Sequence, residues 1–188
     1  MELLDALRNR HSIRVYTGEP VDRATIEDVI DAATMAPSSF NSQPWHFHVA
    51  TGDARQRAGE VMAMTTQYLQ EYVDGLSPER LDHVAQFYAN LGNAPVIIAV
   101  SVQIMNDPDM DYNATIAAGA AIENLLLRAT DKGLGACSIT VPHWLVDRLM
   151  EVFEIPKGRR MGSLVLLGKP AETPVSTERR HDVVTFLE

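Results

Sequence analysis

The chain has 188 residues, 46% of them hydrophobic and 22% charged, which suits one globular domain spanning 1–188 and leaves too little for two ordinary domains. A net charge of −9 argues against a nucleic-acid partner, whose binding face is ordinarily basic, although an average says nothing about one pocket. The single cysteine, Cys137, excludes an intramolecular disulfide and points to a reducing, cytoplasmic setting.

Taken in chain order, Leu3, Leu4 and Leu7 stand at helical spacing, so residues 2–9 read as a short amphipathic helix. No basic stretch followed by an apolar one marks this end as a signal peptide. Ser12 to Tyr16 reads as extended. Asp22 is a good N-cap for a helix carrying Ile26, Val29, Ile30 and Ala33 on one stripe, which must stop before Pro37. A rigid polar loop over 37–44 leads into a strand from Trp45 to Ala50. Helices are expected over 54–74 and 78–91, the second with Ser77 as N-cap and Pro78 at its first position. The run Ala94–Val102 is β-branched without alternation, as in a strand covered on both faces. It is also far shorter than the roughly 20 apolar residues that cross a bilayer, so no membrane association is expected. An acidic surface loop over 106–111 precedes a helix at 113–131 that is apolar on nearly all sides and ends at Gly133. Strands at 136–140 and 161–168 flank a helix near 143–153. Helices and strands interleave with too few regular βαβ units for a doubly wound sheet. The expected class is α+β, a mixed central sheet sandwiched by helices.

Two segments carry chemistry. Arg10, Ser12 and Arg14 alternate, so in an extended chain their side chains share one side. Two guanidinium groups and a hydroxyl there make a phosphate or carboxylate receptor. Taken alone, the segment fits a solvated edge strand with ordinary surface arginines better. The loop Pro37-Ser38-Ser39-Phe40-Asn41-Ser42-Gln43-Pro44-Trp45 is dense in short polar side chains suited to the edge of a planar heteroaromatic ring, and equally suited to a plain helix-to-strand connection.

Together with Glu123-Asn124-Leu125-Leu126-Leu127, Gly133-Leu134-Gly135-Ala136-Cys137 and the end Leu167-Gly168-Lys169-Pro170-Ala171-Glu172-Thr173-Pro174, these segments resemble the nitroreductase family of FMN enzymes over essentially the whole chain and in the right order. The resemblance implies a domain-interlocked homodimer with FMN in a groove between the subunits. It implies that Arg10 and Ser12 hold the phosphate and ribityl chain, with His11 acting mainly through its backbone and Arg14 near the N1/C2 end of the ring. Pro37, Ser38, Ser39 and Asn41 would come from the other subunit. Ile139 and Thr140 would bring a backbone N–H to flavin N5, at a place where many relatives carry glycine rather than Thr140. Arg179 or Arg180 would complete the phosphate site. The implied activity is ping-pong hydride transfer from NAD(P)H, through the flavin, to a small electron-poor acceptor such as a nitroaromatic or quinone. The alternatives are a specialised flavin enzyme on the same fold (dehalogenase, flavin-fragmenting or azoline oxidase type) and a flavin-binding protein without turnover. The chain is short and lacks the longer helical insert that some relatives place over the flavin, which implies a more open or differently lidded pocket. The arm 170–188, ending in Val183, Val184, Phe186 and Leu187, is expected to pack on the partner subunit.

Other patterns point elsewhere and are set aside. Asp107, Asp109 and Asp111 begin like a calcium loop, but Tyr112 and Ala118 stand where the loop needs glycine and glutamate. His46 and His48 share a strand face without an evident third metal ligand. Gly133-Leu134-Gly135 follows a helix and lacks the third glycine of a dinucleotide fingerprint. Cys137 reads as a small buried hydrophobe, and Glu123 needs a partner if it is buried.

Overall fold

Strands β2 (Val96–Gln103) and β4 (Arg159–Gly168) pair antiparallel at the centre of the computed structural model, which describes residues 1–67, 77–174 and 178–187. β1 (Trp45–Ala50) flanks β2 and β3 (Gly135–Ile139) flanks β4, giving the order β1-β2-β4-β3 with every pair antiparallel. The α+β class therefore holds. Among the described residues, the mixed character of the sheet reduces to one isolated parallel bridge, Ser12 to Ala136.

Because side chains alternate along a strand, the two central strands feed two separate cores. Ile97, Ala99, Leu164 and Leu166 face α3 (Gly52–Ala63), α4 (Pro78–Asn90) and α6 (Val146–Val152). Val96, Ile98, Val100, Val165 and Leu167 face α2 (Arg23–Thr34) and α5 (Pro108–Asp131). This is why the run at 96–102 has no apolar/polar alternation: both of its faces are covered. Each large aliphatic side chain so buried contributes roughly 1.5–3 kcal/mol.

The helix ends follow local chemistry. Asp22 caps α2 by accepting from the Thr25 N–H at 2.9 Å. α5 ends at Asp131, and Gly133 turns back with a φ of 73° while the Leu134 N–H reaches the Ala129 carbonyl at 2.8 Å. α2 and α5 are tied by Arg128, whose guanidinium meets both oxygens of Asp28 at 2.9 and 2.7 Å and holds that carboxyl below the usual carboxylate range.

Three expectations need correction. The acidic stretch 106–111 is not a loop: α5 begins at Pro108, with Asp107 as its cap accepting from the Met110 N–H at 2.9 Å and Asp109 and Asp111 in its first turn. An aspartate followed by proline, with acids facing the positive end of the helix dipole, starts a helix just as Ser77-Pro78 does. The helix expected over 54–74 is α3 plus a 3-10 turn, Met64–Gln67, and the remainder of that range lies outside the described residues. α1 (Leu3–Asn9) forms, but it buries only Ala6 and leaves Leu3, Leu4 and Leu7 exposed. No helix among the described residues is long and apolar enough to cross a membrane.

Replacing Asp107 with alanine is expected to lower the unfolding free energy by about 1 kcal/mol, with Asp107→Asn close to wild type, as measured by urea denaturation. A helix starting at residue 113 would make both substitutions neutral.

Candidate functional site

The first arginines sit where α1 runs out. The Arg10 N–H still bonds the Ala6 carbonyl at 2.9 Å, and the chain then crosses the free edge of β3, where the Ile13 N–H donates to the Ala136 carbonyl at 3.1 Å. Ile13 and Tyr16 turn into the core, and the Tyr16 hydroxyl donates to the Ile13 carbonyl. Burial pushes this phenol well up, so it stays a protonated donor. Among the described residues the expected extended stretch forms two isolated bridges, Ser12–Ala136 and Tyr16–Pro170, and no regular strand. Between them the backbone kinks: the successive N–H groups of Arg14 and Val15 both donate to Oε1 of Glu172, which a regular strand does not allow.

A turn at 91–93 holds the other side of this segment. The Tyr16 N–H donates to the Gly92 carbonyl at 2.9 Å, and a Cβ on Gly92 would lie 1.8 Å from the Arg14 carbonyl oxygen. Leu91, Gly92 and Asn93 all have φ between 53° and 64°, so residue 92 must be glycine on both counts.

Around this segment opens a cleft of about 690 Å³. Arg10, His11, Ser12, Arg14 and Arg179 line it, so the candidate residues at the start of the chain and one of the two near its end share one cavity. Arg10 is held through Nε by Glu123 of α5 at 3.0 Å, which answers the question of that carboxylate's partner. Arg180 pairs with Asp182 at 2.9 Å in the exposed tail. Among the described residues, Arg14 and Arg179 have no carboxylate within ion-pair distance. Cys137 lies buried beside Ser12 and Arg14. Burial pushes its thiol up, and the Arg14 charge offsets only part of that.

The opposite wall was not foreseen. His83, Gln86, Phe87 and Asn90 of α4 line the cleft, at spacings that define one face of a helix. The periodicity was readable, but three of the four are polar, so no apolar stripe drew attention to them. α4 thus forms the wall that faces the arginines. Glu172 and Pro174 also line the cleft.

Seven of the twelve expected residues, Arg180 among them, do not line this cleft within the single chain. Pro37, Ser38, Ser39 and Asn41 occupy the loop between α2 and β1 and do not line the cleft. That loop is strained: Phe40, Asn41 and Gln43 have φ of 52°, 54° and 44°, in the left-handed region that costs non-glycine residues of order 1 kcal/mol or more each. The Ser38 hydroxyl steadies it by accepting from the Gln43 N–H at 3.0 Å, and Arg159 anchors its end by donating to the Pro44 carbonyl at 2.6 Å. Phe40 is 94% exposed. Ile139 ends β3 with its side chain in the core and its carbonyl accepting from Ser163 Oγ at 2.9 Å, while Thr140 is exposed; neither lines the cleft.

The patterns set aside have structural partners. Asp111 accepts from the Met105 N–H at 3.1 Å and pairs with Arg160, and both interactions hold its carboxyl below the usual range. His48 Nε2 sits 3.0 Å from Ser101 Oγ, and burial lowers its imidazole. Among the described residues, no group of three or more His, Cys, Asp or Glu is placed to hold a metal ion.

The fold and the sequence both have counterparts among known proteins. Residues 7–169 match the model of the Nitroreductase family. The chain is 30% identical over 177 residues to a putative NADH dehydrogenase/NAD(P)H nitroreductase of Methanothermobacter thermautotrophicus, covering 93% of this chain and 80% of that one. It is 26% identical over 182 residues to an FMN reductase [NAD(P)H] of Bacillus subtilis, covering 95% and 70%. Its fold superposes on that of a BluB-like flavoprotein from Clostridium difficile with a TM-score of 0.79 and 26% identity, covering all of both chains. The chain belongs to the nitroreductase family.

Proposed function

We propose that this chain is an FMN-dependent oxidoreductase that takes a hydride from NAD(P)H and gives it to a small electron-poor acceptor, a nitroaromatic, quinone or related compound, in ping-pong order. The observation that carries the reading is the convergence of Arg10, Ser12, Arg14 and Arg179 on one cleft in a chain of net charge −9. Such a donor set fits the phosphate of FMN. Guanidinium groups form charge-assisted, often bidentate bonds to phosphate oxygens, and two of these three arginines have no competing carboxylate among the described residues. Family membership supports a flavin in that place, and two of the relatives named above are an FMN reductase and a flavoprotein.

When bound, FMN supplies the reactive ring, whose N5 accepts and donates the hydride. The protein's part is to bind and orient. Arg10, Ser12 and Arg179 hold the phosphate end, with His11 contributing backbone. Of the two C-terminal arginines, Arg179 is favoured because it lines the cleft while Arg180 is engaged with Asp182. Arg14 stands beside the ring, where a fixed positive charge raises its affinity for electrons. The backbone at Ile139 and Thr140 is assigned to the N5 edge. Donor and acceptor use the cleft in turn, facing the wall formed by α4.

The site is completed by a second copy of the chain, which supplies Pro37, Ser38, Ser39 and Asn41. The surface supports this homodimer: Leu3, Leu4, Leu7, Tyr112 and Ile116 are exposed on α1 and α5, and Val183, Val184, Phe186 and Leu187 are exposed in the arm 170–188. Phe186 and Leu187 are 87% and 93% exposed, an arrangement that a partner surface would relieve.

The purified protein is expected to be yellow and to bleach anaerobically on addition of NADH or NADPH; a protein that neither reductant bleaches would refute the enzyme reading. Arg10→Ala should weaken FMN retention by about tenfold, the scale of one charge-assisted bond, whereas Arg14→Ala should lower the flavin midpoint potential. Identical affinities and potentials in the two variants would refute that division of labour. Sedimentation velocity should give a dimer, and a monomer with full FMN occupancy would refute the shared site.

A further inference from the structure

The strap that follows β4 runs back along the cofactor segment. The Thr17 N–H donates to the Lys169 carbonyl at 3.0 Å, Tyr16 and Pro170 form an antiparallel bridge, and the Ala171 N–H donates to the Val15 carbonyl at 2.9 Å. One residue further on, the short ladder is finished by a side chain. Oε1 of Glu172 accepts from the Val15 N–H at 3.1 Å and from the Arg14 N–H at closer range. A carboxylate among arginines would ordinarily be expected to pair with one of them, but the hydrogen bonds formed by this one go to backbone amides.

We propose that Glu172 is a positioning residue for the cofactor: its carboxylate fixes the kink at Arg14–Val15, and so the place of the Arg14 guanidinium, and sets a negative charge in the cleft against the arginines. This rests on the FMN reading above. The opposite side of the kink is already rigid, because Gly92 closes on the Arg14 carbonyl and bonds the Tyr16 N–H. Among the described residues the strap side has no such backbone closure at Arg14, since Ala171 is the last of them bonded to the segment through its backbone. Glu172 is therefore the group that holds both amides, and charge-assisted bonds of this kind are roughly twice as strong as neutral ones. Pro174 and Arg179, later in the sequence, also line the cleft.

The two roles, anchor and charge, separate in two substitutions. Glu172→Ala removes both; Glu172→Gln keeps an oxygen acceptor of the same reach and removes the charge. In Glu172→Ala, the Arg14 and Val15 amides should exchange with solvent deuterium at least tenfold faster than in wild type, and the Kd for FMN should rise on the order of tenfold. Glu172→Gln should keep both within about threefold of wild type while the flavin midpoint potential rises, since loss of a negative charge favours the reduced ring. A purely structural residue would not move the potential of a variant that melts like wild type. Should both variants keep the wild-type Kd, potential and exchange rates, the inference is overturned while the FMN reading stands. A wild-type protein that takes up no FMN overturns the FMN reading and this inference with it.

Discussion

The whole arrangement depends on burying β2 and β4 on both faces at once. Two adjacent antiparallel strands with Ile97, Ala99, Leu164 and Leu166 on one side and Ile98, Val100, Val165 and Leu167 on the other need helices above and below. The remaining strands are then pushed to the margins, β1 beside β2 and β3 beside β4. A marginal strand has an unpaired edge, and an unpaired edge must be covered or paired. β3 is covered by the segment Arg10–Tyr16, hung from it by the bond between the Ile13 N–H and the Ala136 carbonyl. The polar segment thus lies on the sheet rather than in a free loop, and its arginines inherit the rigidity of the core.

That rigidity is what the proposed receptor role of these arginines requires. Two long cationic side chains free in water hold an anion weakly, because side-chain entropy and solvent screening cancel most of the attraction. Here the backbone beneath them is fixed from three sides: by β3, by the turn at Gly92, and by the strap ending in Glu172. Arg10 is oriented further by Glu123, which stands on α5, the longest helix described. The acids near the cleft thus act as supports for the cationic groups, which is how an acidic chain can present a basic cavity.

Much of the fold was legible because its signals are local or periodic. The caps at Asp22 and Ser77, the unalternating run at β2 and the glycine stop after α5 each follow from a few neighbouring residues. The start of α5 was equally local at Asp107-Pro108, but a run of acids reads as readily as a surface connection as it does as a helix cap and first turn. The candidate site was legible only in part. Alternation in Arg10, Ser12 and Arg14 suggested a strand face, whereas the fold gathers the same residues around a kink made by a partner 158 positions away in sequence. No local signal encodes the bond from Glu172, and none encodes the approach of Gly92 to Arg14. The face of α4 was encoded, in the spacing of His83, Gln86, Phe87 and Asn90, but a helix face that is polar toward a cavity reads in sequence like one that is polar toward solvent.

The strained loop before β1 has its own place in this picture. Three residues out of four, Phe40 to Gln43, are held in left-handed backbone, braced by the Ser38 hydroxyl, by backbone bonds within the loop and by Arg159 at its exit. Strain of this kind persists where surrounding contacts over-determine it, and it concentrates at functional sites. Within one chain the loop offers Ser38, Ser39 and Asn41 to no cavity shared with the arginines, and it exposes Phe40 almost completely. Under the proposed function, a second copy of the chain would give the loop both a contact for Phe40 and a cleft to edge. On that view the apolar arm, the bare α1 and the strained turn are three consequences of one condition, that half of each site is carried by the other subunit.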